Sequence, residues 1–181
     1  EALVLQNFPH TPTSEQLEAV GMCCDMLLSA DSEECVLLTG YAGTGKTSIV
    51  GALVKALRLL ERMPVLLAPT GRAAKVFSLY ADAPAYTIHR RIYRQRQFTP
   101  EMNNFEQGYN NQKQTLFIVD EGSMIANEGL SGGIFGSGRL LDDLVHFVYA
   151  GQGCRLLVVG DTAQLPPVGE ELSPALSVAA L

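Results

Sequence analysis

The residues best suited to chemistry form one continuous segment, Gly40 to Thr47, which reads GYAGTGKT. It is a complete G-x-x-x-x-G-K-S/T pattern. Its glycines can adopt backbone angles closed to other residues, so successive N–H groups converge on phosphate oxygens at a helix N-terminus. Lys46 can reach the β- and γ-phosphates, and the Thr47 hydroxyl can bind Mg²⁺. The segment predicts a nucleoside-triphosphate site, with contacts from Gly40, Ala42, Gly43, Thr44, Gly45, Lys46 and Thr47.

The residues on either side of this loop have the patterns of a strand and a helix. The apolar run Cys35 to Thr39 leads directly into the loop. The residues that follow it are apolar at helical spacing, namely Ile49, Val50, Leu53, Val54, Leu57 and Leu60. A glycine-rich turn that matched by chance would not need this context, which therefore favours a phosphate-binding loop.

A second group of candidate residues, Asp120 and Glu121, follows the apolar run Thr115 to Val119. Ligands of parallel sheets bind at the carboxyl ends of the strands, where the phosphate-binding loop also lies. Asp120 is expected to hold Mg²⁺, directly or through water, and Glu121 to polarise the water that attacks the γ-phosphate. An acidic pair after a strand could instead cap a helix, but the loop upstream favours metal binding and hydrolysis.

A third candidate, Gln164, lies in the segment GDTAQLPPV that follows the apolar run Arg155 to Val159. A polar side chain held there by a proline-bounded turn could contact the γ-phosphate and report its presence. The same residues also fit an ordinary exit loop, in which Asp161 caps a turn and Gln164 is solvated. From the local sequence alone, the exit loop is the simpler interpretation.

The elements that would position these residues alternate between buried strands and amphipathic helices. One helix is predicted from Thr13, which forms a capping box with Gln16, to about Ala30, and another from Arg72 to Tyr80. Continuous apolar runs between helical segments are typical of a parallel sheet covered on both faces; here they are 35–39, 64–68, 115–119 and 155–159. The predicted fold class is α/β, a mostly parallel sheet with helices on both faces.

Two stretches interrupt this alternation. Residues 97–114 are rich in Asn and Gln, and residues 131–138 contain four glycines. Both patterns predict mobile surface loops. Loops of this length in a compact domain are usually functional or disordered, and the sequence does not decide between the two.

Composition limits the class of protein. A chain of 181 residues with 47% hydrophobic residues is expected to form one domain. It has no apolar stretch near the ~20 residues of a membrane span and no secretion signal, which predicts a soluble, cytoplasmic protein without a membrane partner. The four cysteines lack zinc or redox spacing, so we expect reduced thiols and no disulfide partner.

The charge is distributed unevenly along the chain. The net charge is −6, yet residues 72–96 carry a single acid, Asp82, against six of the thirteen basic residues. Those six are Arg72, Lys75, Arg90, Arg91, Arg94 and Arg96. This basic segment could face a polyanion while the remaining surface stays acidic. An ordinary solvated helix face would explain the same charges equally well.

Six short segments stand in a fixed order along the chain. They are PTSEQ at 12–16, the loop GYAGTGKT, LAPTGRAA at 67–74, TIHR at 87–90, VDEGSM at 119–124 and GDTAQLPPVG at 160–169. Together they resemble superfamily 1 DNA helicases of the RecD-like group, and the resemblance covers residues 12 to 170. It implies a RecA-like P-loop NTPase that binds ATP and Mg²⁺ and has single-stranded DNA as its partner.

The resemblance implies roles for further residues. Gln16 would recognise the adenine, in competition with its capping role. Gln164 would be the γ-phosphate contact that couples nucleotide state to the grip on DNA, in place of the exit-loop interpretation. The DNA track would be formed by Pro69, Thr70, Gly71, Thr87, His89 and Arg90, although a lone histidine such as His89 is more often an ordinary surface or core residue.

Two departures from the family pattern are visible. Gly122 stands where the family usually has Ala, a change expected to loosen the turn without removing a catalytic group. After Val168 only thirteen residues remain. We therefore expect residues 1–181 to be the first motor domain alone, without the second RecA-like domain that supplies an arginine finger and half of the DNA track. Such a domain should bind Mg-ATP but hydrolyse it slowly; the implied polarity of the whole enzyme is 5′ to 3′.

Two other functions are compatible with a phosphate-binding loop. A phosphotransferase would need an arginine-rich lid and an acceptor pocket, whereas Glu121 favours water as the acceptor. A non-catalytic, nucleotide-gated binding module would not depend on Glu121 at all. These alternatives make different predictions for phosphate release and for the effect of Glu121→Gln.

Overall fold

The computed structural model describes residues 1–30, 34–95, 105–127, 135–167, 169–170 and 172–177. The strands of the main sheet are β1 (Cys35–Thr39), β2 (Val65–Ala68), β3 (Ala85–Thr87), β6 (Leu116–Val119) and β7 (Arg155–Gly160). They lie in the order β1–β7–β6–β2–β3, and every neighbouring pair is parallel. The predicted parallel sheet is confirmed.

Helices connect the strands. They are α1 (Ala2–Gln6), α2 (Ser14–Leu28), α3 (Lys46–Leu59), α4 (Gly71–Ala81), α5 (Ile88–Ile92) and α6 (Leu140–Tyr149). The predicted capping box opens α2: the Gln16 N–H donates to Thr13 Oγ1 at 3.3 Å, and the Thr13 N–H donates to Gln16 Oε1 at 3.0 Å. Of these helices, α1, α5 and α6 were not predicted individually.

Helices cover both faces of the sheet because successive strand side chains point to opposite sides. On β6, Leu116 and Ile118 belong to a core that includes residues of α2 and α3. Phe117 and Val119 belong to a second core, with residues of α5 and α6. The predicted placement of helices on both faces is therefore confirmed.

The strand order brings three candidate segments to one edge of the sheet. Thr39 at the end of β1 pairs with Gly160 of β7, and Val158 of β7 pairs with Val119 at the end of β6. Because neighbouring strands are about 4.8 Å apart, the chain leaves β1 and β6 about 10 Å apart. The loop that follows β7 lies between those two exits.

The loop prediction is wrong for residues 105–107, which form a strand; residues 108–114 lie outside helices and strands, as predicted, and residues 97–104 lie outside the described residues. β5 (Phe105–Gln107) pairs antiparallel with β4 (Tyr93–Gln95). Two amide side chains then bind the backbone of α6: Gln107 donates to the carbonyl of Asp143 at 2.7 Å, and Asn110 to that of Phe147 at 3.0 Å. The amides that suggested a solvated loop instead satisfy helix carbonyls.

In the glycine-rich stretch, residues 135–138 are also hydrogen-bonded to α6. Residues 131–134 lie outside the described residues, but the following turn is held by the carboxylate of Asp143. Its Oδ2 accepts hydrogen bonds from the Ser137 N–H at 3.0 Å and from the Tyr93 hydroxyl at 2.7 Å. The Phe135 ring stacks on Phe105 with centroids 4.5 Å apart. Residues 135–138 therefore form a turn that is hydrogen-bonded to α6, and their mobility stays a prediction.

The helices and thiols add two observations. Within the described ranges, none of the helices is both long and apolar enough to cross a bilayer. All four cysteines are free thiols. Burial raises the pKa of both Cys23 and Cys35 to about 12, so these two thiols carry little thiolate at neutral pH.

Candidate active site

The phosphate-binding loop has the backbone geometry that its glycines predict. Gly43 and Gly45 have φ values of +83° and +86°, in the left-handed region that favours glycine. Gly45 is the N-cap of α3, so the positive end of that helix begins at the loop. The Lys46 ammonium donates to the carbonyls of Gly40 at 2.6 Å and Tyr41 at 2.9 Å. The ammonium group that is predicted to contact the phosphates is therefore bound to the loop backbone in this structure.

Gln16 connects the start of α2 to the same loop. Its side chain is buried, with Oε1 in the capping box and Nε2 donating to the Thr44 carbonyl at 3.1 Å. A Cβ atom added at Gly45 would overlap Gln16 Nε2. Packing against Gln16 therefore favours glycine at this position, in addition to the backbone angle. Recognition of adenine by Gln16 stays a prediction, and it would compete with these hydrogen bonds.

A cavity of about 630 Å³ lies beside the loop. It is lined by Gln16, Gly43 to Lys46 and, from the segment before α2, His10 and Thr13. His10 Nε2 lies 3.3 Å from the Ser48 hydroxyl at the start of α3. No motif in the sequence points to His10, which reaches the cavity through the tertiary fold.

Asp120 and Glu121 lie where the sequence predicts, directly after β6. The Asp120 N–H donates to the Leu67 carbonyl at 3.0 Å, which anchors the residue to β2. Glu121 has φ +56° and ψ +41°, a left-handed conformation that costs a non-glycine residue about 1–2 kcal/mol. Glu61, Asp82 and Gln114 also have positive φ, so the backbone angle does not by itself mark Glu121 as catalytic.

Tyr80 is a neighbour of Asp120 that the sequence reasoning missed. Its hydroxyl donates to Asp120 Oδ2 at 2.8 Å. Burial, and then the charge and hydrogen bond of Asp120, raise the pKa of Tyr80 far above its usual range, so the phenol keeps its proton. No motif includes this tyrosine, and a polar aromatic on a predicted amphipathic helix was the only signal available.

Gln164 is exposed as a residue but bound through its side chain. Its Oε1 accepts a short hydrogen bond from the Ser123 hydroxyl, in the 3₁₀ turn Gly122–Met124 that follows Glu121. Asp161 Oδ1 accepts from the Ala163 N–H at 2.9 Å, as the exit-loop interpretation expected. The contact with Ser123 joins the segments after β6 and β7, a link that neither segment shows alone.

Four of the predicted site residues line a second cavity of about 360 Å³: Thr70, Asp120, Glu121 and Gln164. The phosphate-binding loop lines the other cavity, and Thr47 makes no hydrogen bond to Asp120 within the described part of the chain. A hydroxyl and a carboxylate are nevertheless the hard oxygen ligands that Mg²⁺ takes, usually one or two from protein together with phosphates. The donor chemistry at this edge of the sheet fits that ion.

The candidate DNA residues lie at the carboxyl ends of β2 and β3. Thr70 and Thr87 cap α4 and α5, accepting hydrogen bonds from the N–H groups of Ala73 at 3.1 Å and Arg90 at 3.2 Å. Pro69 is half-buried, and Gly71 is exposed. Both threonine side chains therefore have a structural role that does not depend on DNA.

The basic segment keeps its positive surface in the structure. Its single acid, Asp82, lies 3.7 Å from the guanidinium of Arg58, outside the segment. Arg90 is exposed, with its guanidinium 5.5 Å from the centre of the Tyr86 ring. Arg72, Lys75 and Arg94 are also exposed, and Arg91 is half-buried. Arg96 lies outside the described residues.

His89 has the least exposed position among the candidate DNA contacts on α5. Its ring lies 5.1 Å from Phe135 and 5.6 Å from Tyr93, centre to centre. Burial lowers the pKa of His89, so its imidazole is neutral at pH 7. A hydrogen bond from His89 to DNA stays a prediction. Burial disfavours a positively charged His89 at neutral pH, so a contact through a charged imidazole is not expected.

Gly122 has a packing role that the sequence reasoning did not anticipate. An added Cβ would lie 2.6 Å from Val158 Cγ1, 3.2 Å from the Val159 carbonyl and 3.3 Å from Leu176 Cδ2. Leu176 belongs to a second 3₁₀ turn, Pro174–Leu176, that packs on this region. The glycine therefore allows close packing, rather than simply loosening the turn.

Replacement of Gly122 by alanine is expected to lower the free energy of unfolding by about 1–3 kcal/mol, because the added methyl group overpacks the site. Urea unfolding measures this change. The matched control is Gly21→Ala in the interior of α2, where an added Cβ meets nothing within 4 Å. That variant should gain about 0.5–1 kcal/mol. Equal stabilities for Gly122→Ala and the parent would contradict this account of Gly122.

The fold and the loop define the class: this is a RecA-like P-loop domain. Residues 26–170 match the family described as "AAA domain". The chain belongs to this family and is a RecA-like motor domain of superfamily 1 helicases, so the predicted resemblance to that superfamily is confirmed.

Two relatives show the extent of the similarity. The chain is 35% identical over 145 residues to the ATP-dependent RecD2 DNA helicase of Deinococcus radiodurans, covering 80% of this chain and 18% of that protein. It is 30% identical over 166 residues to the uncharacterized protein MJ1519 of Methanocaldococcus jannaschii, covering 86% of this chain and 13% of that protein. The chain therefore spans less than a fifth of either relative.

The fold is similar to that of a solved helicase. The crystal structure of Pif1 helicase from Candida albicans matches with a TM-score of 0.57 and 21% identity. The match covers 94% of this chain and 37% of that one. At this identity the likeness concerns the fold, and it agrees with the parallel sheet described above.

Proposed function

We propose that this chain is the ATP-binding motor domain of an ATP-dependent DNA helicase that translocates on single-stranded DNA. The observation that carries the proposal is the placement of three groups at one sheet edge. The phosphate-binding loop follows β1, Gln164 follows β7 and the Asp120–Glu121 pair follows β6. Similarity to a protein named as an ATP-dependent DNA helicase supports the same activity.

The residues at this edge have complementary tasks in ATP hydrolysis. The loop N–H groups would hold the phosphates, and Lys46 would exchange carbonyl contacts for phosphate oxygens. Thr47 and Asp120 would hold Mg²⁺, which when bound neutralises charge on the β- and γ-phosphates. Glu121 would accept a proton from the attacking water. Gln164 would contact the γ-phosphate, and its hydrogen bond with Ser123 would couple that contact to the turn after Glu121.

The nucleobase would occupy the cavity beside the loop. Gln16 lines that cavity and already contacts the loop backbone through Thr44. Its amide could offer one donor and one acceptor to adenine after releasing its present partners. Gln16 would then couple nucleotide binding to the start of α2.

The DNA would run across the carboxyl ends of β2 and β3, beside the basic segment. Pro69, Thr70 and Gly71 precede or open α4, and Thr87, His89 and Arg90 open α5. Exposed arginine and lysine side chains nearby would neutralise phosphates, so DNA affinity should fall steeply with salt. Translocation with 5′ to 3′ polarity, assisted by a second RecA-like domain, is proposed for the longer protein on the basis of the family resemblance.

The phosphate site is tested by Lys46→Ala. Removing charged hydrogen bonds to phosphate, worth about 1.5–3 kcal/mol each, should weaken ATP binding by about 10- to 100-fold or more. Titration with a fluorescent ATP analogue in the presence of Mg²⁺ measures the affinity. Lys55→Ala is the matched control, because Lys55 is an exposed residue of the same helix and does not line the cavity. Equal ATP affinities for Lys46→Ala and Lys55→Ala would count against the site.

The phosphotransferase alternative is separated by a phosphate-release assay without any co-substrate. The helicase proposal expects slow but measurable release of inorganic phosphate, since water is the acceptor. A phosphotransferase should release inorganic phosphate only at a background rate, with or without an acceptor, because it transfers the γ-phosphoryl group to the acceptor and forms ADP rapidly only when that acceptor is present. The observation that favours water is the position of Glu121 directly after the proposed metal ligand Asp120.

A further inference from the structure

We propose that Tyr80 is a positioning residue for the carboxylate of Asp120, an inference that rests on the proposed function. The two residues are 40 positions apart in the chain and are joined by the 2.8 Å hydrogen bond from the Tyr80 hydroxyl to Asp120 Oδ2. Tyr80 lies on α4, outside all six segments that carry the family resemblance. Its contact with the site is therefore a feature of this fold that those segments do not contain.

Packing fixes the direction of the Tyr80 ring. The ring stacks on Phe77, with centroids 5.0 Å apart and planes 22° apart. Phe77 is fully buried in the core shared with α3. A Cβ added at Gly51 of α3 would lie 3.7 Å from the Tyr80 carbonyl, so the two helices are in close contact here. A ring held in this way presents its hydroxyl in one direction, at little further entropic cost.

The hydrogen bond from Tyr80 restricts the orientation of the Asp120 carboxylate. An ionised carboxylate offers about four lone-pair sites on two oxygens, and Tyr80 occupies one of them on Oδ2. Since the Asp120 N–H is also bound, to the Leu67 carbonyl, both ends of the residue are held. The remaining lone pairs, including those of Oδ1, keep a fixed orientation for a cation. Outer partners of this kind typically change metal affinity about 10- to 100-fold when removed.

The test is Tyr80→Phe, which removes the hydroxyl and keeps the ring that stacks on Phe77. The readout is the thermal unfolding midpoint of the chain with saturating ATP, titrated with Mg²⁺. We expect the Mg²⁺ concentration for half-maximal stabilisation to rise about 10-fold. Stabilisation by ATP in the presence of EDTA should not change, because the phenol acts on the cation ligand and not on the nucleotide.

A matched control separates this effect from general destabilisation. Tyr93 donates the same kind of hydrogen bond, at 2.7 Å to Asp143 Oδ2, in the core on the other face of the sheet. Tyr93→Phe should lower the unfolding midpoint without moving the Mg²⁺ titration. A Mg²⁺ shift of equal size in Tyr93→Phe would show a non-specific effect and overturn the inference.

A double-mutant cycle tests whether Tyr80 acts through Asp120. In an Asp120→Asn background, Tyr80→Phe should cause no further shift in the Mg²⁺ titration. If the parent shows Mg²⁺-dependent stabilisation by ATP and Tyr80→Phe has the same Mg²⁺ midpoint, the positioning role alone is wrong. If the parent shows no stabilisation by ATP with Mg²⁺, the proposed function fails as well.

Discussion

Glu121→Gln is expected to slow ATP turnover by the proposed longer helicase by about 10²- to 10⁴-fold, the usual contribution of a general base. ATP binding should remain, since the glutamine keeps the size of the side chain and leaves the phosphate-binding loop untouched. The variant should therefore trap ATP and lose unwinding activity. Steady-state phosphate release and equilibrium nucleotide binding, measured on the same preparation, separate the two effects.

The controls for this experiment follow from the structure. Glu18→Gln changes an exposed glutamate near the start of α2, outside both cavities, and should turn over ATP at the parental rate. Full biological activity in Glu121→Gln would contradict the motor proposal and favour a non-catalytic, nucleotide-gated module. Loss of ATP binding in Glu121→Gln would instead place the residue in the binding site.

The second large effect concerns the chain by itself. Arginine fingers accelerate related phosphoryl transfers by about 10³- to 10⁵-fold, and in the proposed helicase that group comes from the second RecA-like domain. The 181-residue chain should thus bind Mg-ATP but hydrolyse it about 10³ to 10⁵ times more slowly than a polypeptide containing both motor domains. It should also fail to unwind duplex DNA.

A coupled ATPase assay with and without single-stranded DNA measures this difference. Strong DNA-stimulated ATPase activity of the 181-residue chain would contradict the prediction, because it would require the chain to supply its own catalytic arginine. Such a result would direct attention to Arg72, which lines the same cavity as Asp120, Glu121 and Gln164. Arg72→Ala would then be the variant to assay.

Much of this fold could be predicted because its signals are local. The run Cys35–Thr39 and the loop after it are close in sequence and form one unit in space, so the strand, the turn and the first residues of α3 were all predictable. The capping box of Thr13 and Gln16 spans only three residues. In each case the interacting groups are close together in the sequence.

The errors came from polar and glycine-rich residues whose partners are distant in sequence. Gln107 and Asn110 resembled loop residues until α6, more than thirty residues later, supplied their carbonyl acceptors. Gly122 was predicted to loosen the turn, but Val158 and Leu176 occupy the space that a side chain at this position would need. Such distant partners cannot be predicted from local composition.

The chemical groups of the proposed site could be predicted from sequence: a phosphate-binding loop, an acidic pair after a buried strand and a glutamine after another. How these parts meet depends on the tertiary structure. It placed β7 between β1 and β6, joined Gln164 to Ser123, and brought Tyr80 to Asp120. The physical reason is that motifs specify short-range backbone and side-chain chemistry, whereas strand order and the contacts across it depend on burying both faces of the sheet at once.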